Sequence, residues 1–167
     1  MSAATPEPTR AAGLRRLQDF APNAGADYSK ARNFDFGLER RGNVSTLSPY
    51  LSHRLVLESE VLETTLKLHA PADAGKFVEA VFWRAYFKGS LEQRPEVWAD
   101  YSDDLNTLVR QLDDDTGLAD SYIKAVDGSI GIDCFDEWAS ELVSTGYLHN
   151  HARMWFAGWW IRKFISS

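Results

Sequence analysis

Pro71-Ala72-Asp73-Ala74-Gly75-Lys76-Phe77-Val78-Glu79-Ala80-Val81-Phe82-Trp83-Arg84-Ala85-Tyr86-Phe87-Lys88-Gly89 is the stretch whose periodicity decides the fold class. Phe77, Val78, Val81, Phe82, Ala85 and Tyr86 recur three and four apart, the spacing of one broad buried helical face. Pro71 and Asp73 suit the opening turn, and Gly89 suits the close. Working outward, Val97 to Leu112 predicts a second helix with Leu105, Leu108, Val109 and Leu112 inward, broken by Asp113-Asp114-Asp115 and Thr116-Gly117. Leu118 to Val126, Asp133 to Val143 and Tyr147 to about Lys163 predict three more, separated by Asp127-Gly128 and by Thr145-Gly146. Upstream, Leu51 to Leu68 predicts another. No stretch alternates apolar and polar residues with hairpin chemistry. The expectation is an all-α, multi-helix bundle.

Composition bounds the rest. The chain has 167 residues, 44% hydrophobic and 13% aromatic, which excludes intrinsic disorder and suits a single domain. The expected organisation is a disordered leader over 1–12, rich in Ala, Pro and Thr, then one helical domain over 13–167. A net charge of −6 argues against a general nucleic-acid coat, though not against a local basic groove. The single cysteine, Cys134, excludes an internal disulfide and a multi-cysteine metal site. Met154 to Ile165, the longest apolar candidate, is interrupted by Arg162 and Lys163 and falls short of the roughly 20 residues of a membrane span. With no signal sequence and one thiol, the expected location is the cytoplasm.

Four local features bear on chemistry. Ser48 is placed to N-cap the Leu51–Leu68 helix with Pro49 in its first turn, and Ser45-Thr46 add hydroxyls just upstream. Helix N-termini carry unpaired amides and partial positive charge, so 44–49 reads either as an ordinary cap or as a phosphate seat. Arg84 lies within an apolar helix beside Trp83 and requires an acceptor, either a protein carboxylate or a cofactor. His149 and His151, two apart on a helix, point about 200° from each other, so no metal site is expected there. Asn150 and Arg153 share a face. Trp155, Trp159 and Trp160 read as core or as an interface for a partner or a second copy, and Cys134 has no neighbouring His to activate it.

Five segments in order resemble the FAD-binding helical domain of the DNA photolyase/cryptochrome family. They are Tyr28-Ser29-Lys30-Ala31-Arg32, Val44 to Leu51, Phe82 to Phe87, Arg94 to Trp98, and Gly128 to Met154. The last ends Thr145-Gly146-Tyr147-Leu148-His149-Asn150-His151-Ala152-Arg153-Met154, where a photolyase typically reads Thr-Gly-Trp/Tyr-Met/Leu-His-Asn-x-x-Arg-Met. The likeness spans 28–154, or 127 of 167 positions. It implies FAD as cofactor, damaged DNA as a weak partner, and either light-driven repair of pyrimidine dimers or blue-light reception. It assigns Tyr28, Val44, Ser45, Thr46, Leu47, Ser48, Trp83, Arg84, Asn150 and Arg153 to the flavin. Arg32 and Asn150 fall to DNA, and Trp83 and Asn150 to the reacting centre.

The sequence also departs from the family pattern. Ala80 stands three residues before the Trp83-Arg84 pair, where photolyases usually carry Glu, and Ala125-Val126-Asp127 stand where a Trp commonly precedes the Gly128 segment. No antenna domain precedes the likeness, and the family's C-terminal flavin segment has no counterpart here. The expectation is therefore a C-terminally short flavin domain with impaired catalysis. Its alternative is a truncated or repurposed helical interaction module without flavin, exposing Trp155, Trp159 and Trp160.

Overall fold

Helical spacing carries through the chain: the structure, a computed structural model describing residues 6–164, has nine α-helices and no strand among the described residues. The helices are α1 Arg10–Phe20, α2 Ala26–Ala31, α3 Ser48–Ser52, α4 Glu58–Leu68, α5 Pro71–Glu92, α6 Pro95–Asp114, α7 Thr116–Val126, α8 Asp133–Thr145 and α9 Asn150–Phe164. The fold is all-α. No helix among the described residues is long and apolar enough to cross a membrane. The chain divides into two compact units, Met1–Lys88 and Gly89–Ser167, and α5 runs across the division.

The first unit begins on a helix that the sequence expectation had given to leader and left unassigned. Thr9 caps α1, its Oγ1 accepting from the Ala12 amide at 3.2 Å, so helix starts at Arg10 inside the 1–12 stretch. Residues 1–5 of that stretch lie outside the described residues. Leu17 and Phe20 from α1 pack with Leu47, Tyr50, Leu51 and Val56, with Val61 of α4, and with Phe77 and Val81 of α5 into one core. Gly13 is required where α1 meets this cluster: a Cβ there would lie 2.7 Å from Val56 and 2.8 Å from the Tyr50 ring. Arg10 of α1 reaches Glu60 of α4 with both guanidinium nitrogens and also donates to the Leu55 carbonyl.

The helix expected over Leu51–Leu68 is two helices. Arg54 turns left-handed (φ +57°), and the Leu55 and Val56 amides both fold back onto the Tyr50 carbonyl at 2.9 and 3.3 Å. This is how a helix C-terminus satisfies its last carbonyls, although the left-handed residue is usually Gly. A fresh start follows at α4, where Glu60 accepts from the Leu57 amide at 2.9 Å. Periodicity cannot register such a break, because apolar spacing resumes on both sides of it.

The second unit has a smaller core of Ala125, Phe135 and Ala139, with Ile130, Phe156, Trp159 and Trp160 against it. Its joints are local. Asp115 caps α7, accepting from the Gly117 and Leu118 amides at 2.9 Å. Asp136 holds the 127–132 loop through the Ile130 and Gly131 amides, both at 3.0 Å. Gly128 sits at φ +63° with the Asp136 carbonyl 2.9 Å from where a Cβ would stand, so this turn takes only glycine without strain. Gly146 at φ +66° ends α8 in the left-handed form, as its position after Thr145 predicted.

Two inward faces are corrected by the structure. On α5, Ala74, Phe77 and Val81 are buried, but Phe82 and Tyr86 are 59% and 63% exposed, and the helix passes through Gly89 to Glu92. On α6 no residue is buried, and Leu105 and Val109 are exposed. An apolar stripe defines a face able to be covered; in the second half of α5 and along α6 that face stands open.

Candidate functional site

Around α5 the structure brings together Tyr28, Arg32 and Trp83 of the residues that the sequence nominated in the first unit. Trp83 is half exposed, its ring stacked on Phe87 (centroids 5.6 Å apart, 28° between planes) and met edge-on by Tyr86 at 5.5 Å. Offset stacks of this kind leave one aromatic face free for a further planar group. The Trp83 indole N–H donates to Glu79 at 3.4 Å, and Lys76 holds the other Glu79 oxygen at 2.9 Å. These bonds, the Lys76 bond first, hold the Glu79 carboxyl below its ordinary range, with help from the Arg32 charge.

Arg32 links this group to α2. The Tyr28 ring packs edge-on against Phe77 (5.1 Å) and Phe20 (6.2 Å). Burial pushes its hydroxyl pKa up, while a hydrogen bond and charge from Arg32 oppose the shift. Tyr28, Arg32, Lys76, Glu79 and Trp83 thus form one connected group on the surface between α2 and α5. Glu79 and Lys76 were not singled out by sequence as a junction; Glu79 four residues before Trp83 and three after Lys76 was the signal available.

Arg84 is not the buried arginine the sequence suggested. Its side chain is 31% exposed, donates to Ser52 Oγ at 2.7 Å, and lies 3.8 Å from Glu58 through Nε. At 3.8 Å the Glu58 contact is an ion pair without a hydrogen bond, so the enclosed Nε has no hydrogen-bond acceptor. Ser52 ties Arg84 to α3, about 6 Å along the axis from Ser48, where the proposed anion loop ends.

The loop itself differs from expectation. Ser48 is the first residue of α3 and does not cap it; Leu47 takes the cap position and its side chain is buried in the core. Burying Leu47 fixes the chain direction there and displaces the serine by one residue. Val44, Ser45, Thr46 and Ser48 are half-buried, Thr46 is left-handed (φ +50°), and Ser45 Oγ accepts from the Leu47 amide at 3.4 Å. Arg16 of α1, which sequence did not nominate, donates from Nε to the Ser45 carbonyl at 2.8 Å and places a cation beside the loop.

Asn150 and Arg153 belong to the second unit. They share a face of α9, as spacing predicted, and Arg153 donates to Asn150 Oδ1 at 2.9 Å. His149 and His151 are closer than the helical argument allowed, their rings 5.8 Å apart. The reason is that His149 precedes α9: its carbonyl accepts from Arg153 and its Nδ1 from the His151 amide at 3.2 Å, so it serves as the buried cap of that helix. No group of three or more His, Cys, Asp or Glu among the described residues is placed to hold a metal ion. The tryptophan trio splits: Trp159 and Trp160 pack against Phe135, whereas Trp155 is 74% exposed. Comparison with protein-family models, with curated proteins and with solved structures gives no match.

Proposed function

We propose that this chain is a flavin-binding helical module of the photolyase/cryptochrome kind, holding FAD along the exposed side of α5. The observation that carries the proposal is the pairing of an open aromatic face at Trp83, Tyr86 and Phe87 with Arg84, whose enclosed Nε lacks a hydrogen-bond acceptor. An enclosed donor without an acceptor is costly, and an anionic or carbonyl oxygen is the group that relieves it. The residues fit a flavin in kind: a flat indole for a ring system, guanidinium groups at Arg84 and Arg16 for acidic oxygens, and hydroxyls at Ser45 and Thr46. The half-buried Ser45–Ser48 loop offers a narrower anion seat than a long helix would, since Leu47 rather than serine occupies the cap and Pro49 removes an amide.

When bound and reduced, a flavin supplies an electron on excitation by light, the chemistry by which the family repairs pyrimidine dimers or senses blue light. The protein's own share is to orient and to screen. Glu79 fixes the Trp83 ring through its N–H, Ser52 and Glu58 fix the Arg84 fork, and Arg32 supplies positive charge beside Tyr28 toward a DNA backbone. Ala80 brings no carboxylate to the lesion side, so reception or weakened repair fits these residues better than efficient repair. Asn150 and Arg153 enter the proposal only through the sequence resemblance.

Reconstitution tests it. Protein refolded with excess FAD and desalted retains the flavin absorbance bands, and Arg84→Ala and Trp83→Ala lose them while helical circular dichroism is unchanged. Absence of retained flavin in the parent protein, with native helicity, refutes the proposal. A second reading, an interaction module without flavin, draws on the same exposed residues of the first unit and on Trp98, Tyr101 and Trp155 of the second, since exposed apolar surface favours association. Sedimentation that gives a flavin-free, concentration-dependent oligomer supports that reading instead.

A further inference from the structure

The second unit carries a groove of about 850 Å³ running beside α8 and α9, within the size range of small-molecule sites. Its walls are Trp138, Trp155 and Trp159 with Phe135, and its polar ends are His151 and Arg162. His151, Trp155, Gly158 and Arg162 recur at helical spacing down one face of α9. That face lies roughly 130° round the helix from Asn150 and Arg153, so the groove is separate from the residues of the flavin reading.

Four features bear on the occupant. The walls are aromatic, and they suit a planar ring system better than a flexible alkyl chain. The lining contains no carboxylate, and Arg162, solvent-exposed at the groove's end, forms no ion pair among the described residues, so it offers a free cation beside the apolar rings. Gly158 keeps the floor open: a Cβ there would meet nothing within 4 Å. At the far end, about 16 Å along the axis from Arg162, His151 has its Nδ1 enclosed without a hydrogen-bond partner.

We infer that this groove binds an aromatic monoanion, a fused or extended ring system bearing one carboxylate or sulfonate. The rings lie between the tryptophans and the acidic group pairs with Arg162. Charge complementarity selects this ligand over a neutral aromatic, because a guanidinium on an apolar rim adds a charge-assisted bond that only the anion can make.

Titration with 2-naphthoate and with its neutral analogue 2-naphthamide, read by tryptophan fluorescence and by protection of Cys134 in the groove from iodoacetamide, tests the inference on the parent protein. The expected result is saturable quenching and thiol protection by naphthoate, with about tenfold weaker binding of the amide. Arg162→Ala removes that tenfold difference by weakening the acid alone, and Gly158→Phe, which fills the floor, abolishes both responses with helicity retained. Absence of saturable quenching and protection overturns the inference. So does equal binding of acid and amide that Arg162→Ala leaves untouched, the signature of a merely apolar patch. A concentration-dependent dimer that Gly158→Phe disrupts, and that naphthoate does not, assigns the groove to a second copy and overturns it as well.

Discussion

The two compact units build their interiors differently. In the first, residues distant in sequence converge: Leu17, Leu47, Val61 and Phe77 come from α1, the 44–48 loop, α4 and α5 and are all buried together. In the second, Ala125, Phe135 and Ala139 form a small buried cluster, with Leu148 and Ala152 also buried, and aromatic rings gather on Phe135 from one neighbouring helix. Burial is the main source of folding free energy. The first unit therefore rests on a large shared core, whereas the second rests on a smaller cluster around Phe135, on a few further buried residues such as Leu148 and Ala152, and on caps and loop tethers. The lesson is that the first unit buries Phe20, Tyr50 and Phe77 together, whereas among the described Phe, Tyr and Trp rings of the second only Phe135 is buried and most of the others are half-covered.

Core truncation should separate the units most strongly. Phe77→Ala removes a ring packed against both Phe20 and Tyr28 and should cost about 3–5 kcal/mol, read as a loss of urea stability of the first unit. Phe135→Ala should collapse the tryptophan near-ultraviolet signal of the second unit, because Trp159, at 4.4 Å, and Phe156 stack on that ring. If Phe135→Ala leaves that signal intact, the contrast between the two interiors is wrong.

Overpacking comes next. Gly13→Ala forces a methyl into Val56 and Tyr50 and should destabilise by about 1–3 kcal/mol, against the usual gain from replacing a helical glycine. A stabilised Gly13→Ala variant would mean that α1 does not sit on that cluster. In the second unit the corresponding lever is a cap. Asp115→Ala leaves the Gly117 and Leu118 amides unmet and should cost about 1 kcal/mol, measured by thermal melting.

The smallest effect is a pH dependence confined to the first unit. The Arg10 hydrogen bond, followed by the Leu57 amide, holds the Glu60 carboxyl at about 2. A carboxyl depressed in the folded state contributes stability that is complete above its unfolded pKa and is lost as pH falls through the folded value. The α1–α4 tie should therefore weaken progressively between about pH 5 and about pH 2. Glu60→Gln should flatten that slope in urea unfolding while leaving stability near neutrality slightly lower. An unchanged slope would show that the Arg10–Glu60 bridge contributes nothing.

How much was legible in sequence follows the same division. Helix existence was legible wherever period and caps agreed, as for α5, α7, α8 and α9, because backbone geometry imposes 3.6 residues per turn on any apolar face. The start of α1 was illegible although Leu14, Leu17 and Phe20 have helical spacing, because the helix begins at Arg10 within a stretch whose Ala and Pro content suits a leader. The break at Arg54 was illegible because it depends on a left-handed residue that is not glycine. Site residues on one helix, such as Asn150 with Arg153, were legible by spacing. Arg16 beside Ser45, and Arg32 near Glu79, join elements far apart in sequence and required the tertiary structure. Exposure was the least legible property: periodicity marks which side of α6 is apolar, not whether anything covers it.

The measurement that tests the functional account most directly is titration of FAD into the folded protein, followed by flavin fluorescence and by quenching of tryptophan. The account predicts a saturable response at one flavin per chain, weakened about tenfold or more by Arg84→Ala through loss of a charge-assisted contact. Its failure is separable from that of the groove, since Gly158→Phe should leave the FAD response unchanged. A parent protein that gives no saturable response, or binding that ignores both Trp83→Ala and Arg84→Ala, contradicts a flavin site on α5.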